Sequence, residues 1–264
     1  MLNRRLIRSK VFQALYAYTQ TTDPSRKQSL SYLKNSLEGV EKNFLVFLHF
    51  PIEFVEFVRK EMDPSQYKYL PSETDKAVFK TLKLDGAFDE LMQIENLKKY
   101  SEKPYFRWQE EIDLMRGWYK SIQETSFFRE LHDSAQTRID QLQFLRAFYE
   151  YLTYSYKEFD HKMEEFEMHW EDERIPISNA VRKMLDNSIE KDEIILPSLN
   201  KNRKEDLEFA SKLFVASIDH QTEYEELIDK NTPGWDKERI AKADLLLMVI
   251  ALNEILNFPH IPIK

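Results

Sequence analysis

Residues 205–228 read EDLEFASKLFVASIDHQTEYEELI. Leu207, Ala210, Leu213, Phe214, Ser217 and Ile218 recur at helical intervals and share one face, while acids and Lys212 fill the other. That period identifies an amphipathic α-helix with a face to bury. The turn signature Asn231-Thr232-Pro233-Gly234-Trp235 follows it. A second helix is then expected from Asp236, a good N-cap, to Leu256, where Asn257-Phe258-Pro259-His260-Ile261-Pro262 stops it.

Working outward, residues 3–20 form another amphipathic helix. Ile7, Val11, Leu15 and Tyr18 make its apolar stripe, and Asn3 is placed to cap it. Arg4, Arg5 and Arg8 occupy another face, with Lys10 further round, and Asp23-Pro24 ends the helix. Cations in a first turn oppose the helix dipole at a cost of a few tenths of a kcal/mol each. Their placement therefore points to a use other than helix stability. Segment 28–62 is helical and apolar on more than one side through Phe44–Phe57, with Pro51 as its candidate break. Residues 63–75 are a loop. Residues 76–103 carry a weak pattern. Helices are expected in 105–132, 135–170 and 178–190, the last set off by Pro176 and Pro197, before a polar linker at 198–204. Alternating β patterns are few, so the fold class is all-α.

Composition agrees. Four glycines in 264 residues leave few positions for tight hairpins, and the absence of cysteine removes disulfides, thiolate metal sites and thiol nucleophiles. The most apolar run, Leu245–Leu252, is far shorter than the ~20 residues of a membrane span. No signal segment is evident, and the expected location is cytoplasmic. A net charge of −8 argues against nucleic acid. Yet Arg4, Arg5, Arg8 and Lys10 precede the first acid, Asp23, and such asymmetry is more informative than the total.

His161, Glu165 and His169 fall on one face if 135–170 is continuous, but two turns part the histidines, about 12 Å along the axis. No metal or other cofactor is expected. The acidic stretch around them is a solvated face, or a surface for a basic partner. No Gly-rich phosphate loop, nucleophile elbow or zinc-protease motif occurs, so enzymatic chemistry is not expected.

Both ends of the chain resemble the NusB family of transcription antitermination factors. At the start, Arg4-Arg5-Leu6-Ile7-Arg8 leads into Gln13-Ala14-Leu15-Tyr16. At the end, Trp235 precedes Arg239-Ile240, followed by Ala243-Asp244-Leu245-Leu246-Leu247, Ala251-Leu252-Asn253-Glu254-Ile255 and His260-Ile261-Pro262-Ile263-Lys264. Together they cover about 80 residues. About 180 residues separate the matched ends, where the family has a few tens, so 63–204 reads as inserted helices. The expected domains are 1–62, that insertion, and 205–264. The family continues beyond the final Pro-x-Lys, and without such helices the last helix exposes apolar surface, making self-association a further expectation.

The resemblance implies NusB-like helical bundles that bind single-stranded boxA-type RNA with the ribosomal protein NusE and so act on RNA polymerase elongation complexes. RNA-binding candidates are Arg4, Arg5, Arg8 and Lys10, with Lys242 and Lys264 as secondary phosphate contacts. Forked guanidinium groups suit phosphates and unpaired bases. Tyr16, at the Gln-x-Leu-Tyr position, and Tyr18 are candidates for the protein partner, although aromatics at this spacing fit a core equally well. The alternative function is a helical protein-interaction scaffold without RNA contact. An accessory module of an RNA methyltransferase is a third.

Overall fold

The computed structural model describes residues 3–67, 69–84, 86–191, 193–197, 202–234 and 239–259. Every regular element among them is helical. In chain order these are α1 (Arg4–Gln20), α2 (Arg26–Glu61), α3 (Pro64–Tyr67), α4 (Glu73–Leu82), α5 (Ala87–Gln93), α6 (Glu95–Glu102) and α7 (Ile112–Ser121). Then come α8 (Ser126–Asp133), α9 (Arg138–Tyr154), α10 (Lys157–Phe166), α11 (Trp170–Lys191), α12 (Arg203–Asp219), α13 (Gln221–Asn231) and α14 (Lys242–Asn257). Short 3-10 turns occupy Trp108–Glu110 and Ile122–Glu124. No described helix is long and apolar enough to cross a membrane.

The chain divides into two compact units. A terminal unit holds residues 2–40 and 199–264, and a central unit holds 41–198. The division therefore falls within α2 rather than at the expected 62/63 boundary. The reason is in its residues: Leu33 and Leu37 join the terminal core, whereas Phe47, Phe50 and Phe54 meet aromatic rings of the central unit.

In the terminal unit α1 packs on α12 and α14. Ile7, Val11, Ala14 and Leu15 interleave with Phe209, Ala210, Leu213, Phe214, Leu246 and Ile250. Asn253 of α14 donates to the Leu213 carbonyl and to Ser217 Oγ, each at 2.9 Å, which satisfies a buried amide and sets the register of α14 on α12. The helix expected over 205–228 breaks at His220, whose Nδ1 lies 3.0 Å from the Glu223 carboxylate. The break lets α13 turn Tyr224 and Ile228 onto Val249 of α14. The last helix starts at Lys242, while Trp235 and the expected cap Asp236 lie outside the described residues. Leu247, Ile255 and Leu256 of α14 are about half exposed.

The central unit is built on the second half of α2, which is buried at almost every position from 44 to 58. Phe50 meets Trp108, Trp118, Phe148 and Phe159, with centroids 4.7–6.1 Å away. Such ring pairs add ~0.5–1.5 kcal/mol beyond area burial. Pro51 does not break α2. A helical proline lacks the N–H that would reach the carbonyl four residues back, here Phe47, and crowds it. The carbonyls on either side take side-chain donors: Trp108 Nε1 reaches Val46 O at 3.0 Å and the Tyr149 hydroxyl reaches Leu48 O at 2.7 Å. Pro176 is likewise inside α11, so that helix begins at Trp170 rather than at 178. The stretch 135–170 is split at Ser155-Tyr156, and His169 falls beyond α10. His161, Glu165 and His169 therefore do not share a helix face. Buried His49 lies 2.9 Å from Glu53 and 2.7 Å from Ser101 Oγ. The Ser101 hydroxyl also donates to Leu97 O and Glu53 accepts the Gln109 N–H, so the trio ties α6 and the Trp108 turn to α2.

Burial holds the Tyr149 hydroxyl well above its ordinary range and pushes Tyr156 up to about 12. Unfolded tyrosines ionise near pH ~10, so the unfolded chain sheds these protons first. Stability from this source is complete below that pH and falls as pH rises toward the folded values. Tyr149→Phe should cost about 1 kcal/mol at neutral pH, for the lost bond to Leu48, and should make the alkaline decline shallower. Urea unfolding on both sides of pH ~10 measures both effects.

Candidate nucleic-acid interface

The first helix begins where Asn3 Oδ1 accepts the Leu6 N–H at 2.8 Å. That cap directs the following arginines out of the first turn. Arg4 and Arg5 are exposed. The Arg4 guanidinium lies over the ring of Phe209 on α12, 3.9 Å from its centroid. Phe258 in turn meets Phe209 edge-on at 5.1 Å. Nearby on α12, burial pushes the Asp206 carboxyl up, and the charge of Arg4 pulls it back down.

Arg8 has a different setting. Its Nε donates to Glu254 Oε2 at 2.6 Å and its Nη2 donates to the other carboxylate oxygen. The Arg8 side chain is 39% exposed and that of Glu254 10%. The bidentate pair holds the Arg8 guanidinium above its usual range. A carboxylate on the buried side of α14 needs a cation, and Arg8 meets that need. Its donors are directed at Glu254 rather than at solvent.

Lys10 corrects the sequence reading outright: it is fully buried. It stands one helical step of four from both Leu6 and Ala14, which are buried too. Its stem falls within that row, so no phosphate can reach it. Lys242 is exposed, but its Nζ donates to the Thr19 carbonyl at 2.7 Å and so caps the far end of α1. Fifteen residues of helix separate that point from Arg4, about 22 Å at ~1.5 Å each. Lys264 lies outside the described residues. The six expected cations therefore do not converge on one site; Arg4 and Arg5 alone share an exposed turn. Tyr16 is 40% exposed, with Phe12 6.0 Å away on the same side of α1. Tyr18 leans inward and meets Phe214 edge-on at 6.2 Å, as a shoulder of the core.

Two partners escaped the sequence reading. Phe209 was read as a core position only, and Glu254 as a letter of a motif. Glu254 had a signal: it follows Leu246, Ile250 and Asn253 on the face that α14 buries. An acid on such a face demands a cation from another element.

Charge is divided as unevenly as the residues. The terminal unit holds sixteen Lys and Arg against fourteen Asp and Glu, and the central unit twenty-two against thirty-two. The acidic excess thus belongs to the central unit, and the unit carrying α1 is slightly positive. In the central unit carboxylate oxygens of Asp160, Glu164 and Glu171 lie within 4.8 Å of one another. Asp160 is already bound by Trp170 Nε1 at 2.6 Å and by Arg174 at 3.0 Å.

Residues 177–264 match the NusB family. The matched span takes in the end of α11 together with α12, α13 and α14; α1 lies outside it. The "Transcription antitermination protein NusB" of Agathobacter rectalis is 32% identical over 72 residues, which are 27% of this chain and 55% of that protein. The chain therefore spans about half the length of the curated relative it matches. No solved structure matches.

Glu254→Gln should destabilise the terminal unit by about 2 kcal/mol, the scale for charged hydrogen bonds with one partner buried. Urea unfolding checks it. A Lys10→Met chain should bind RNA with unchanged affinity, and a clear loss in a filter-binding titration would contradict the burial of Lys10.

Proposed function

With a NusB-family segment at residues 177–264, we propose that this chain is an RNA-binding transcription antitermination factor that acts by binding rather than by catalysis. In this reading it takes a single-stranded boxA-type leader RNA and a NusE-type ribosomal protein, and through them supports processive transcription of ribosomal RNA in the cytoplasm. The RNA polymerase elongation complex is an indirect partner.

The observation that carries the RNA part is the exposed Arg4–Arg5 pair at the head of α1, in the unit that lacks the acidic excess. Single-stranded RNA suits it because splayed bases and phosphates are both accessible to guanidinium groups. Arg8 contributes mainly by fastening α1 to α14, and Lys242 adds a distant positive end. Tyr16, exposed beside Phe12, is the better of the two tyrosines for a protein partner; Tyr18 serves the core.

A second reading is a helical scaffold that meets proteins alone. It draws on the pairing of Arg8, the burial of Lys10 and the acidity of the central unit, which suits a basic partner. RNA titration at several salt concentrations separates the two. Replacing Arg4 and Arg5 together by alanine should weaken binding and lower the slope of log affinity against log salt by about 1.4, two phosphates at ~0.7 each. Wild-type protein that binds no RNA at low salt supports the scaffold.

A further inference from the structure

Arg4 and Arg5 adjoin in sequence and are both exposed, yet they are held differently. Arg4 has its guanidinium plane laid on Phe209, 3.9 Å from the ring centroid, and Phe258 meets that ring edge-on at 5.1 Å. Phe209 is 6% exposed and belongs to the core of the terminal unit. The ring therefore cannot swing away, and the guanidinium resting on it shares its orientation. A free arginine side chain samples many rotamers and loses that freedom on binding, whereas one stacked on a fixed ring has lost part of it already.

A planar cation has two faces. Phe209 covers one, and since Arg4 is exposed the other is turned to solvent. A flat, cationic, pre-oriented surface of this kind is complementary to a nucleobase, because every base has a π-face and stacking tolerates sequence. Phosphate makes no such demand. A phosphate contact needs the edge donors of the guanidinium, and a lysine serves it as a point charge.

We propose that Arg4 is a base-stacking residue, and that Phe209 is the positioning residue that holds its plane for an unpaired base. Arg5, exposed on the same turn, supplies the phosphate contact. The ligand class is then RNA with at least one base free of pairing. The proposal rests on the RNA-binding reading above and adds to it a division of labour among the arginines and a role for a residue of α12.

The test uses the whole 264-residue chain and three probes: a short unstructured fluorescein-labelled RNA, the same RNA annealed to its complement, and the same RNA with abasic positions. Arg4→Lys keeps the charge and removes the plane. It should weaken binding of the unpaired RNA about tenfold, the scale of one lost stack, with the salt slope unchanged. Binding of the duplex and the abasic strand should not change. Phe209→Leu should reproduce that loss, and Phe209→Tyr, which keeps a ring, should restore most of the affinity; thermal melts establish that each variant is folded at the assay temperature. Arg4→Lys binding like wild type would overturn the proposal. So would an equal loss on all three probes, or a Phe209→Leu chain that is folded and binds normally. Wild-type protein that binds none of the probes would instead remove the RNA-binding reading itself.

Discussion

The Arg8–Glu254 pair spans 246 positions of sequence and ties the first helix to the last. Glu254 lies on the side of α14 that faces α12 and the core, where an unpaired carboxylate costs several kcal/mol. Pairing with Arg8 is what allows it there. The same geometry sets the direction of α1 along α14: Arg8 meets the C-terminal half of α14 and Thr19 meets Lys242 at its start. The two helices run antiparallel, anchored by charge at one end and by a capped carbonyl at the other. The apolar rows of α1, α12 and α14 fill the space between. With α1 fixed in this way, Arg4 is brought over Phe209.

The central unit solves a different problem. A helix that is apolar all round must be surrounded, and α2 from 44 to 58 is such a helix. Aromatic side chains from the Trp108 turn, α7, α9, α10 and α11 surround it. A proline sits in its middle, and its effect on the ladder is absorbed by Trp108 and Tyr149, which donate to carbonyls beside the one it leaves without a donor. The unit also carries the acidic excess of the chain, ten charges. Its surface repels a polyanion, which leaves the terminal unit as the one with a charge balance suited to RNA.

Much of this was readable from residues. The all-α class followed from four glycines and helical periods, and the apolar stripe of α1 was named residue by residue before the packing was known. The exposed Arg4–Arg5 turn was legible as well. What failed had a common cause. Pro51 and Pro176 were read as boundaries, since local propensity disfavours proline in a helix, but tertiary donors and burial outweighed it. Residues 205–228 read as one helix because their period runs through His220, while the break serves the contact of α13 with α14. Lys10 was counted as a cation of the surface, although its neighbours four residues away on both sides are apolar.

Sequence by itself determined which faces are apolar, where the cations stand along α1, and that the chemistry is that of binding groups rather than of nucleophiles or metal ligands. It could do so because helical periodicity and residue type are local properties. Tertiary structure alone decided which cations remain available. Whether an arginine meets solvent, a carboxylate or a ring depends on what another helix, more than two hundred residues away, presents to it. Glu254 takes Arg8, Phe209 takes one face of Arg4, the core takes Lys10, and Arg5 stays exposed.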